Sequence, residues 1–283
     1  MTTKRVMITG AAGQLGVDLV AAATAAGHDV VALDRSGLDI TNADAVQRIV
    51  AEAQPDAIIN SAAWTAVDDC ESDPARAMAI NGEAVESLVA AADSVGAHLV
   101  QISTDYVFDG TKTSPWVEDD PTNPQSAYGH SKLRGEHAAA DHTVVRISWV
   151  CGEHGANMVK TILRVKDQHP VLRFVDDQIG HPSFTADLAP AIVAIGDAAP
   201  GGIMHLTNGG AVSWFEFAQA VLEAAGDDPG RVLPITTADL DPPRPAARPA
   251  NSVLASTRHT ELGLTPLRDF RAPLAELVAT LVS

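Results

Sequence analysis

The first structural signal in the chain is the stretch RVMITGAAGQLG, residues 5–16. Its apolar start, RVMIT, contains β-branched residues and predicts a buried strand that stops at Gly10. Gly10, Gly13 and Gly16 follow at every third position as the chain enters QLGVDLVAAATAAG, which is typical of a helix ending at Gly27. A strand, a glycine-rich turn and a helix in this order predict a loop whose backbone approaches a pyrophosphate.

Strand and helix patterns alternate from this stretch to about residue 150. The short apolar segments HDVVALD, DAIINSA and HLVQIST predict further strands, whereas NADAVQRIVAEAQ and DPARAMAINGEAVESLVAAADSVG predict helices. Such alternation predicts an α/β fold with a doubly wound parallel sheet that helices cover on both faces. We therefore predict a Rossmann-type domain over residues 1–149. Residues 150–283 should form mainly a smaller substrate-binding lobe, with some segments returning to the sheet.

The C-terminal half contains longer loops and one stretch dense in proline, DLDPPRPAARPANSVLAS, residues 239–256. Its composition fits either a flexible linker or an ordered surface loop. A helical pattern, SWFEFAQAVLEAAG, precedes this stretch, and we expect Trp214 and Phe215 at its start to pack in the core. Another helical pattern, LRDFRAPLAELVATLV, follows it.

The composition excludes several classes of protein. The formal net charge of −17 argues against a nucleic-acid partner, because phosphate backbones are bound by clusters of lysine and arginine. Cys70 and Cys151 are too few for a disulfide scaffold and fit a reducing compartment. The start, MTTKRVMITG, lacks the long apolar region of a signal peptide, and no apolar run approaches the roughly 20 residues that span a bilayer. We therefore expect a cytoplasmic protein without a membrane partner.

The end of the second predicted strand contains candidate ligands of the nucleotide. Asp34 lies where an acid typically binds the adenosine ribose hydroxyls of NAD, while Arg35 could instead pair with the 2′-phosphate of NADP. These residues leave NADPH and NADH open. The segment LDI, residues 38–40, could flank the adenine, or it could form a turn before the next helix.

The fourth predicted strand ends in ISTDYVFDG, which brings Ser103, Thr104 and Asp105 to the carboxyl edge of the sheet. Ligands of open parallel sheets bind beyond this edge. The same three polar residues would equally serve as a helix cap or a turn. They therefore indicate a site only in combination with other residues.

Tyr128 and Lys132 lie four residues apart in SAYGHSKLRGE, so a helix would present both on one face. A free phenol has a pKa near 10, and a nearby ammonium lowers that value. A tyrosine tuned in this way could donate a proton to a developing alkoxide, while the hydroxyl of Thr104 polarised the carbonyl. The lysine could also bond the nicotinamide ribose, and the dinucleotide would supply a hydride.

Together, TGAAGQLG, STDYVFDG and YGHSK resemble the extended short-chain dehydrogenase/reductase family. Longer segments resemble the dTDP-4-dehydrorhamnose reductases within it, and the resemblance extends over essentially the whole chain: LDRSGLDIT, NSAAWTAVDDCE, RISWVCGEHGANMV, VDDQIGHPSFTADLA and HLTNGGAVSWFEFA. The resemblance implies reduction of the C4 ketone of dTDP-4-dehydro-β-L-rhamnose to dTDP-β-L-rhamnose, the last step of dTDP-L-rhamnose biosynthesis. The hydride donor would be NADPH or NADH.

The resemblance also implies roles for individual residues. Tyr128 would be the proton donor, Lys132 its activator and Thr104 the hydroxyl partner at the sugar carbonyl. The residues that would bind the dinucleotide, besides Tyr128 and Lys132, are Gly10, Ala12, Gly13, Gln14, Leu15, Gly16, Asp34, Arg35, Asp39, Ile40, Ala62, Ala63 and Thr65. The residues that would bind the dTDP-sugar, besides Thr104 and Tyr128, are Val67, Asp105, Trp149, Asn157 and Arg248. The proline-dense stretch would then be an ordered part of the substrate lobe.

Two alternatives stay open at this point. Relatives of this group include cofactor-binding regulatory subunits without catalysis, although Thr104, Tyr128 and Lys132 argue against that role here. An epimerase, or a reductase for another deoxysugar nucleotide, would use the same fold. Some relatives bind Mg²⁺ through acidic residues at a dimer interface. We assign no metal ligand in this chain, and the sequence fits a monomer or a homodimer.

Overall fold

A computed structural model describes residues 3–282, so the outermost residues of the two predicted domains, 1, 2 and 283, lie outside the described residues. The strands are β1 (Arg5–Thr9), β2 (Asp29–Leu33), β3 (Ala57–Asn60), β4 (His98–Thr104), β5 (Thr143–Ile147), β6 (Val150–Cys151), β7 (Leu172–Val175), β8 (Ile179–Gly180), β9 (Ser183–Phe184), β10 (Gly202–His205), β11 (Val212–Ser213) and β12 (Val232–Ile235). The helices are α1 (Gln14–Ala25), α2 (Ala43–Ala53), α3 (Val67–Ser72), α4 (Pro74–Met78), α5 (Ala84–Val95), α6 (Ala127–Ala138), α7 (Met158–Lys166), α8 (Thr185–Ala198), α9 (Trp214–Ala224), α10 (Arg258–Glu261) and α11 (Arg271–Val282). Across the described residues, none of the helices combines the length and the apolar character that crossing a bilayer requires.

A six-stranded sheet in the order β10-β5-β4-β3-β1-β2 forms the centre of the fold. All of its neighbouring strands pair in parallel. The strand order changes direction between β1 and β3, and open parallel sheets bind ligands beyond the carboxyl ends of the strands at such a point. The predicted α/β fold with a doubly wound parallel sheet is therefore confirmed.

Helices cover both faces of this sheet, which explains why its strands are continuous apolar runs. On one face, Leu19 of α1 and Ile192 of α8 pack with Val100 of β4 in one buried cluster. On the other face, Val50 of α2 and Leu88 of α5 belong to a second buried cluster.

Part of the chain after Trp149 builds a separate core. Its buried members include Cys151, Phe217 and Phe270, and it is formed largely by α7, α9 and α11 with the parallel pair β7–β12. In contrast, α8 and β10 belong to the large sheet and its helical cover. Burial raises the pKa of the Cys151 thiol to about 12, so this cysteine is protonated at neutral pH and unsuited to act as a catalytic base.

The proline-dense stretch is ordered and joins the two halves of the molecule. Trp116 donates its N–H to the carbonyl oxygen of Val253 at 2.8 Å, and Ala255 donates to the carbonyl oxygen of Trp116 at 2.8 Å. The Asn251 side chain donates to the carbonyl oxygen of Lys112 at 2.7 Å. Because these contacts tie the stretch to the loop before α6, the flexible-linker alternative is wrong.

Candidate active site

The glycine turn after β1 is closed too tightly to accept side chains. Gly10 has a φ of +70°, and a Cβ there would lie 2.7 Å from the amide nitrogen of Ala62. A Cβ on Gly16, in the first turn of α1, would lie 2.1 Å from the carbonyl oxygen of Gly10. No side chain caps the start of α1. The first N–H groups of that helix are therefore left for a ligand, and a helix start of this kind favours an anion.

A cavity of about 500 Å³ adjoins this turn. Its lining includes many of the predicted dinucleotide residues: Gly10, Ala12, Gly13, Asp34, Arg35, Asp39, Ile40, Ala62 and Ala63. The hydroxyl of Ser36 donates to the Asp34 carboxylate at 2.6 Å and, with two backbone N–H groups, holds the Asp34 pKa below its usual value. The cavity therefore offers a carboxylate and a guanidinium side by side, which fits the ribose end of a dinucleotide.

A second cavity of about 430 Å³ continues from the first, since Gly13, Ser61 and Ala63 line both. It brings together nine further predicted cofactor and sugar residues near the carboxyl end of β4: Gln14, Leu15, Thr65, Val67, Thr104, Asp105, Tyr128, Lys132 and Trp149. Gly16 is buried behind the turn. The crevice thus runs from the nucleotide cavity past the glycine turn to Tyr128.

Helix α6 positions Tyr128 and Lys132, the predicted proton donor and its activator. Ser126 caps its start by accepting the N–H of Gly129 at 3.1 Å. One turn apart, Tyr128 and Lys132 then face the sheet, and both are buried. The ammonium of Lys132 donates to the carbonyl oxygen of Ile102 at 2.6 Å. This bond fixes the lysine against the end of β4.

The ionisation of Tyr128 differs from the sequence-based prediction. Burial raises the pKa of its phenol, although the hydroxyl of Thr104 opposes the rise. The predicted net lowering of the Tyr128 pKa is therefore wrong. The reason is that desolvation of the phenol dominates, while the ammonium is directed at the Ile102 carbonyl group. At neutral pH Tyr128 keeps its proton, which is the state that a proton donor requires.

Thr104 and Asp105 form the turn that was one of the alternatives from the sequence, and both also line the second cavity. The Thr104 oxygen accepts the N–H of Tyr106 at 3.3 Å and so caps a short turn. Its hydroxyl also donates to Asp105 at 2.9 Å beside Tyr128. Asp105 is buried, and this burial raises its pKa to about 6. The cap at this strand end therefore also presents polar oxygen atoms to the cavity.

Trp214 belongs to the site, which the sequence did not indicate. Its ring stacks on that of Trp149 with the centroids 3.5 Å apart and an angle of 7° between the planes. Trp149 has a φ of +45°, which is unusual for a residue other than glycine. Trp214 lines the second cavity besides packing on the C-terminal core, so the prediction of a core position alone was incomplete. No local pattern distinguishes this tryptophan, because its partner is distant in sequence.

A third cavity of about 410 Å³ lies on the other side of Trp214 and Tyr106. Three arginines, Arg173, Arg244 and Arg248, line it. The Arg248 guanidinium forms two hydrogen bonds with the carboxylate of Asp68, one of them at 2.8 Å. Arg173 and Arg244 were not predicted, although three arginines in a chain of net charge −17 suit an anionic ligand.

Asn157 lies apart from Arg248 and close to the glycine turn. Its amide nitrogen donates to the Gln14 side chain at 2.9 Å, and its oxygen accepts the N–H of Lys160 at 3.2 Å as the cap of α7. A contact between Asn157 and the nucleotide end of a substrate stays a prediction.

Acidic side chains near the site are paired individually and do not form a cluster. Asp68 bonds to Arg248, and Asp105 accepts from Thr104. Among residues 3–282, apart from the side chains at 260 and 261, no group of three His, Cys, Asp or Glu residues could hold a metal ion.

Comparison with known proteins is consistent with this geometry over the full length of the chain. The family model described as RmlD substrate binding domain matches residues 4–283. A dTDP-4-dehydrorhamnose reductase from Streptomyces griseus is 44% identical over 96% of this chain and 92% of its own length. A probable dTDP-4,6-dihydroxy-2-methyloxan-3-one 4-ketoreductase from Streptomyces antibioticus is also 44% identical, over 96% of this chain and 94% of its own. The crystal structure of dTDP-4-dehydrorhamnose reductase from Bacillus anthracis in complex with NADP has a TM-score of 0.94 at 35% identity, covering 99% of this chain and 100% of that one. The chain therefore belongs to the RmlD substrate-binding-domain family.

Proposed function

We propose that this protein reduces the C4 ketone of dTDP-4-dehydro-β-L-rhamnose to dTDP-β-L-rhamnose with NADPH as the hydride donor. The observation that carries the proposal is the arrangement of Thr104, Tyr128 and Lys132 around one cavity that continues the crevice over the glycine turn. The uncapped start of α1 and the close packing of Gly10 and Gly16 fit a bound pyrophosphate. When bound there, NADPH supplies the hydride for the ketone carbon.

Tyr128 donates the proton in this proposal. The ketone oxygen gains negative charge as its carbon is reduced, and the buried phenol is protonated and able to neutralise that charge. Thr104 lies beside it in the same cavity, and its single O–H, which donates to Asp105 in the free protein, would turn to the same oxygen to donate a hydrogen bond there. Lys132 stabilises the phenolate that remains. An ammonium has three N–H donors, so Lys132 can also bond a ribose hydroxyl while it holds the Ile102 carbonyl oxygen.

NADPH rather than NADH is the proposed donor because two arginines line the nucleotide cavity. Arg35 follows directly after Asp34, and Arg76 lies across the cavity with its guanidinium 4.4 Å from the ring centroid of Trp64. Asp34 already accepts a hydroxyl and two backbone N–H groups within its own turn. A 2′-phosphate would match the guanidinium groups, and the relative from B. anthracis binds NADP.

The division into a Rossmann-type domain over residues 1–149 and a substrate lobe over residues 150–283 is part of the proposal. In this division β10 and α8 return to the sheet, and the core around Phe217 supports the lobe. The cleft between the two parts would hold the sugar between Tyr128 and the Trp149–Trp214 stack. A cytoplasmic location fits the two buried free cysteines.

The function is tested by loss of NADPH absorbance at 340 nm in the presence of dTDP-4-dehydro-β-L-rhamnose that upstream enzymes generate in place. We expect oxidation that depends on the sugar nucleotide and is faster with NADPH than with NADH. Tight NADPH binding without turnover on this sugar would contradict the proposal. Exchange of the C3 or C5 protons with solvent would indicate an epimerase instead.

Another deoxysugar nucleotide is the second candidate substrate. It is favoured by the S. antibioticus ketoreductase, which is as similar to this chain as the S. griseus reductase is. The chemistry at Tyr128 would be the same for either sugar. Selection between the two substrates would therefore depend on the residues that line the cleft. Competition between the two sugar nucleotides in one assay, with kcat/KM as the readout, separates them.

Replacement of Arg248 by alanine is expected to raise KM for the sugar nucleotide about 10- to 100-fold, because a hydrogen bond to a charged group contributes roughly 1.5–3 kcal/mol. We expect NADPH affinity to be unchanged, since Arg248 lines the third cavity and not the nucleotide cavity. Steady-state kinetics at saturating NADPH measure the change. Arg231→Ala is the matched control. Arg231 is also paired with an aspartate, Asp227, but it lines neither the second nor the third cavity. An unchanged KM in Arg248→Ala would exclude Arg248 from the substrate site.

A further inference from the structure

A row of polar side chains crosses three strands of the sheet beneath α6. Ser103 of β4, Arg146 of β5 and His205 of β10 are register partners on neighbouring strands. Residues paired in register point to the same face of a sheet. The three are 3%, 1% and 2% exposed, so the row lies in the interior of the protein.

Glu136 of α6 sits over this row and is held from two sides. The Ser103 hydroxyl donates to its Oε1 at 2.5 Å. Arg146 donates Nε to Oε1 at 2.9 Å and Nη2 to Oε2 at 2.7 Å. A carboxylate bound by the two arms of a guanidinium and a hydroxyl is fixed in both position and orientation.

Lys132 lies one helical turn before this carboxylate and contacts the same strand. Glu136 follows Lys132 by four residues, so the two side chains lie on one helix face. Strand β4 contacts both, because the Ile102 carbonyl group accepts the ammonium and the adjacent Ser103 binds the carboxylate. Both side chains are 3% exposed, and opposite charges interact strongly where water is excluded.

Other ionisable groups also lie around this pair, and Asp105 among them is largely anionic at pH 7 because its pKa is about 6. They are Cys70, Asp105, Tyr128, Arg146 and His205. Burial lowers the pKa of His205 to about 4, so His205 is neutral at pH 7. Burial also lowers the pKa of Lys132 to about 8, and the charge of Glu136 opposes that change. Arg146 is bonded to the carboxylate of Glu136, whose negative charge favours the charged form of Lys132 from one helical turn away.

We propose that Glu136 is a positioning residue for the reduction: clamped by Ser103 and Arg146, its carboxylate keeps the Lys132 side chain positively charged where the Ile102 carbonyl group holds it. The inference rests on the proposed function, because Glu136 acts through the lysine that supports Tyr128. The buried ion pair of Glu136 and Arg146 then does more than join α6 to the sheet.

The charge of Lys132 can be followed in the free protein by NMR after labelling with [ε-¹³C]lysine. The sequence has five lysines, and Lys132→Arg identifies the resonance in question. In the wild type we expect this resonance to titrate near pH 8, with the charged form below that value. Removing the neighbouring negative charge disfavours the charged form, so in Glu136→Gln the midpoint should fall by about one pH unit or more.

Glu118→Gln is the matched control for a purely structural role. Glu118 is a second buried carboxylate of the same polar network, and it accepts the N–H of His205 at 3.1 Å and the hydroxyl of Ser256 at 2.6 Å. Both variants should lower Tm, but only Glu136→Gln should shift the Lys132 midpoint. An unchanged midpoint in Glu136→Gln, or an equal fall in both variants, would overturn the proposal.

If Glu136→Gln does not fold, Ser103→Ala tests the proposal in its place. It removes one arm of the clamp and retains the ion pair, so the Lys132 midpoint should fall by a smaller amount. A midpoint equal to that of the wild type would contradict the clamp. These titrations need neither substrate nor turnover. An inactive wild-type protein with a normal titration would therefore contradict the proposed function and not this inference.

Discussion

Tyr128→Phe should lower kcat by about 10²- to 10⁴-fold, the range that a positioned general acid contributes. The variant lacks the phenolic proton that neutralises the reduced ketone oxygen, and water is poorly placed to supply one in a site where Tyr128 is 8% exposed. The ring itself remains and can keep its edge-to-face contact with Tyr106, whose centroid lies 5.5 Å away. We therefore expect the fold and the binding of NADPH to change little.

The measurement combines steady-state rates with a fluorescence titration of NADPH. Tyr106→Phe is a close control, because Tyr106 is the other tyrosine of the chain and lines the same cavity. It should retain most of the wild-type kcat, since its hydroxyl has no part in the proposed proton transfer. A Tyr128→Phe variant with a rate near that of the wild type would remove Tyr128 from the mechanism. Equal losses in both variants would point to packing and not to proton donation.

Local sequence patterns were sufficient for the parts of the site that lie within one strand–turn–helix unit. The glycine turn and the spacing of Tyr128 and Lys132 each fall within a few residues of sequence, and the physical reason for each is short-range. The sheet that unites them follows from alternating apolar strands and helices. These short-range features therefore predict both the fold and the chemistry that we propose for the crevice.

Contacts between distant residues were not predictable in the same way. Arg248 and Asp68 are 180 positions apart, and Trp149 meets Trp214 across the C-terminal half. Arg146 forms part of the clamp on Glu136. It lies inside the apolar segment TVVRI, so the sequence does indicate a buried arginine. An arginine in a buried strand requires an anionic partner, but the sequence does not say which one.

The Tyr128 pKa shows why proximity in sequence is an incomplete guide to electrostatics. Spacing on α6 correctly brings Lys132 to the same face, but it says nothing about desolvation or about where the ammonium points. In the folded protein the Ile102 carbonyl group receives the ammonium, and burial of the phenol outweighs the remaining effects. The prediction from sequence takes account of the Lys132 charge but not of the desolvation of the phenol.

Gly16→Ala should abolish measurable NADPH binding and lower the free energy of unfolding by about 3 kcal/mol, at the upper end of what overpacking costs. The added methyl group would lie 2.1 Å from the carbonyl oxygen of Gly10, which is backbone and cannot rotate away. The start of α1 must then move from the turn, and its free N–H groups would no longer converge on a pyrophosphate. Urea unfolding and a fluorescence titration with NADPH measure the two effects.

Gly196→Ala in α8 separates this steric effect from the general consequence of placing alanine in a helix. A Cβ on Gly196 would meet the side chains of Val100 at 3.6 Å and Ile59 at 3.9 Å, which are ordinary contact distances. Alanine is favoured over glycine within helices by roughly 0.5–1 kcal/mol, so this variant should be as stable as the wild type or slightly more stable. Its NADPH affinity should not change. If Gly16→Ala bound NADPH within a few-fold of the wild type, the close approach of α1 to Gly10 would not be what shapes the nucleotide site, and the glycine turn would need another explanation.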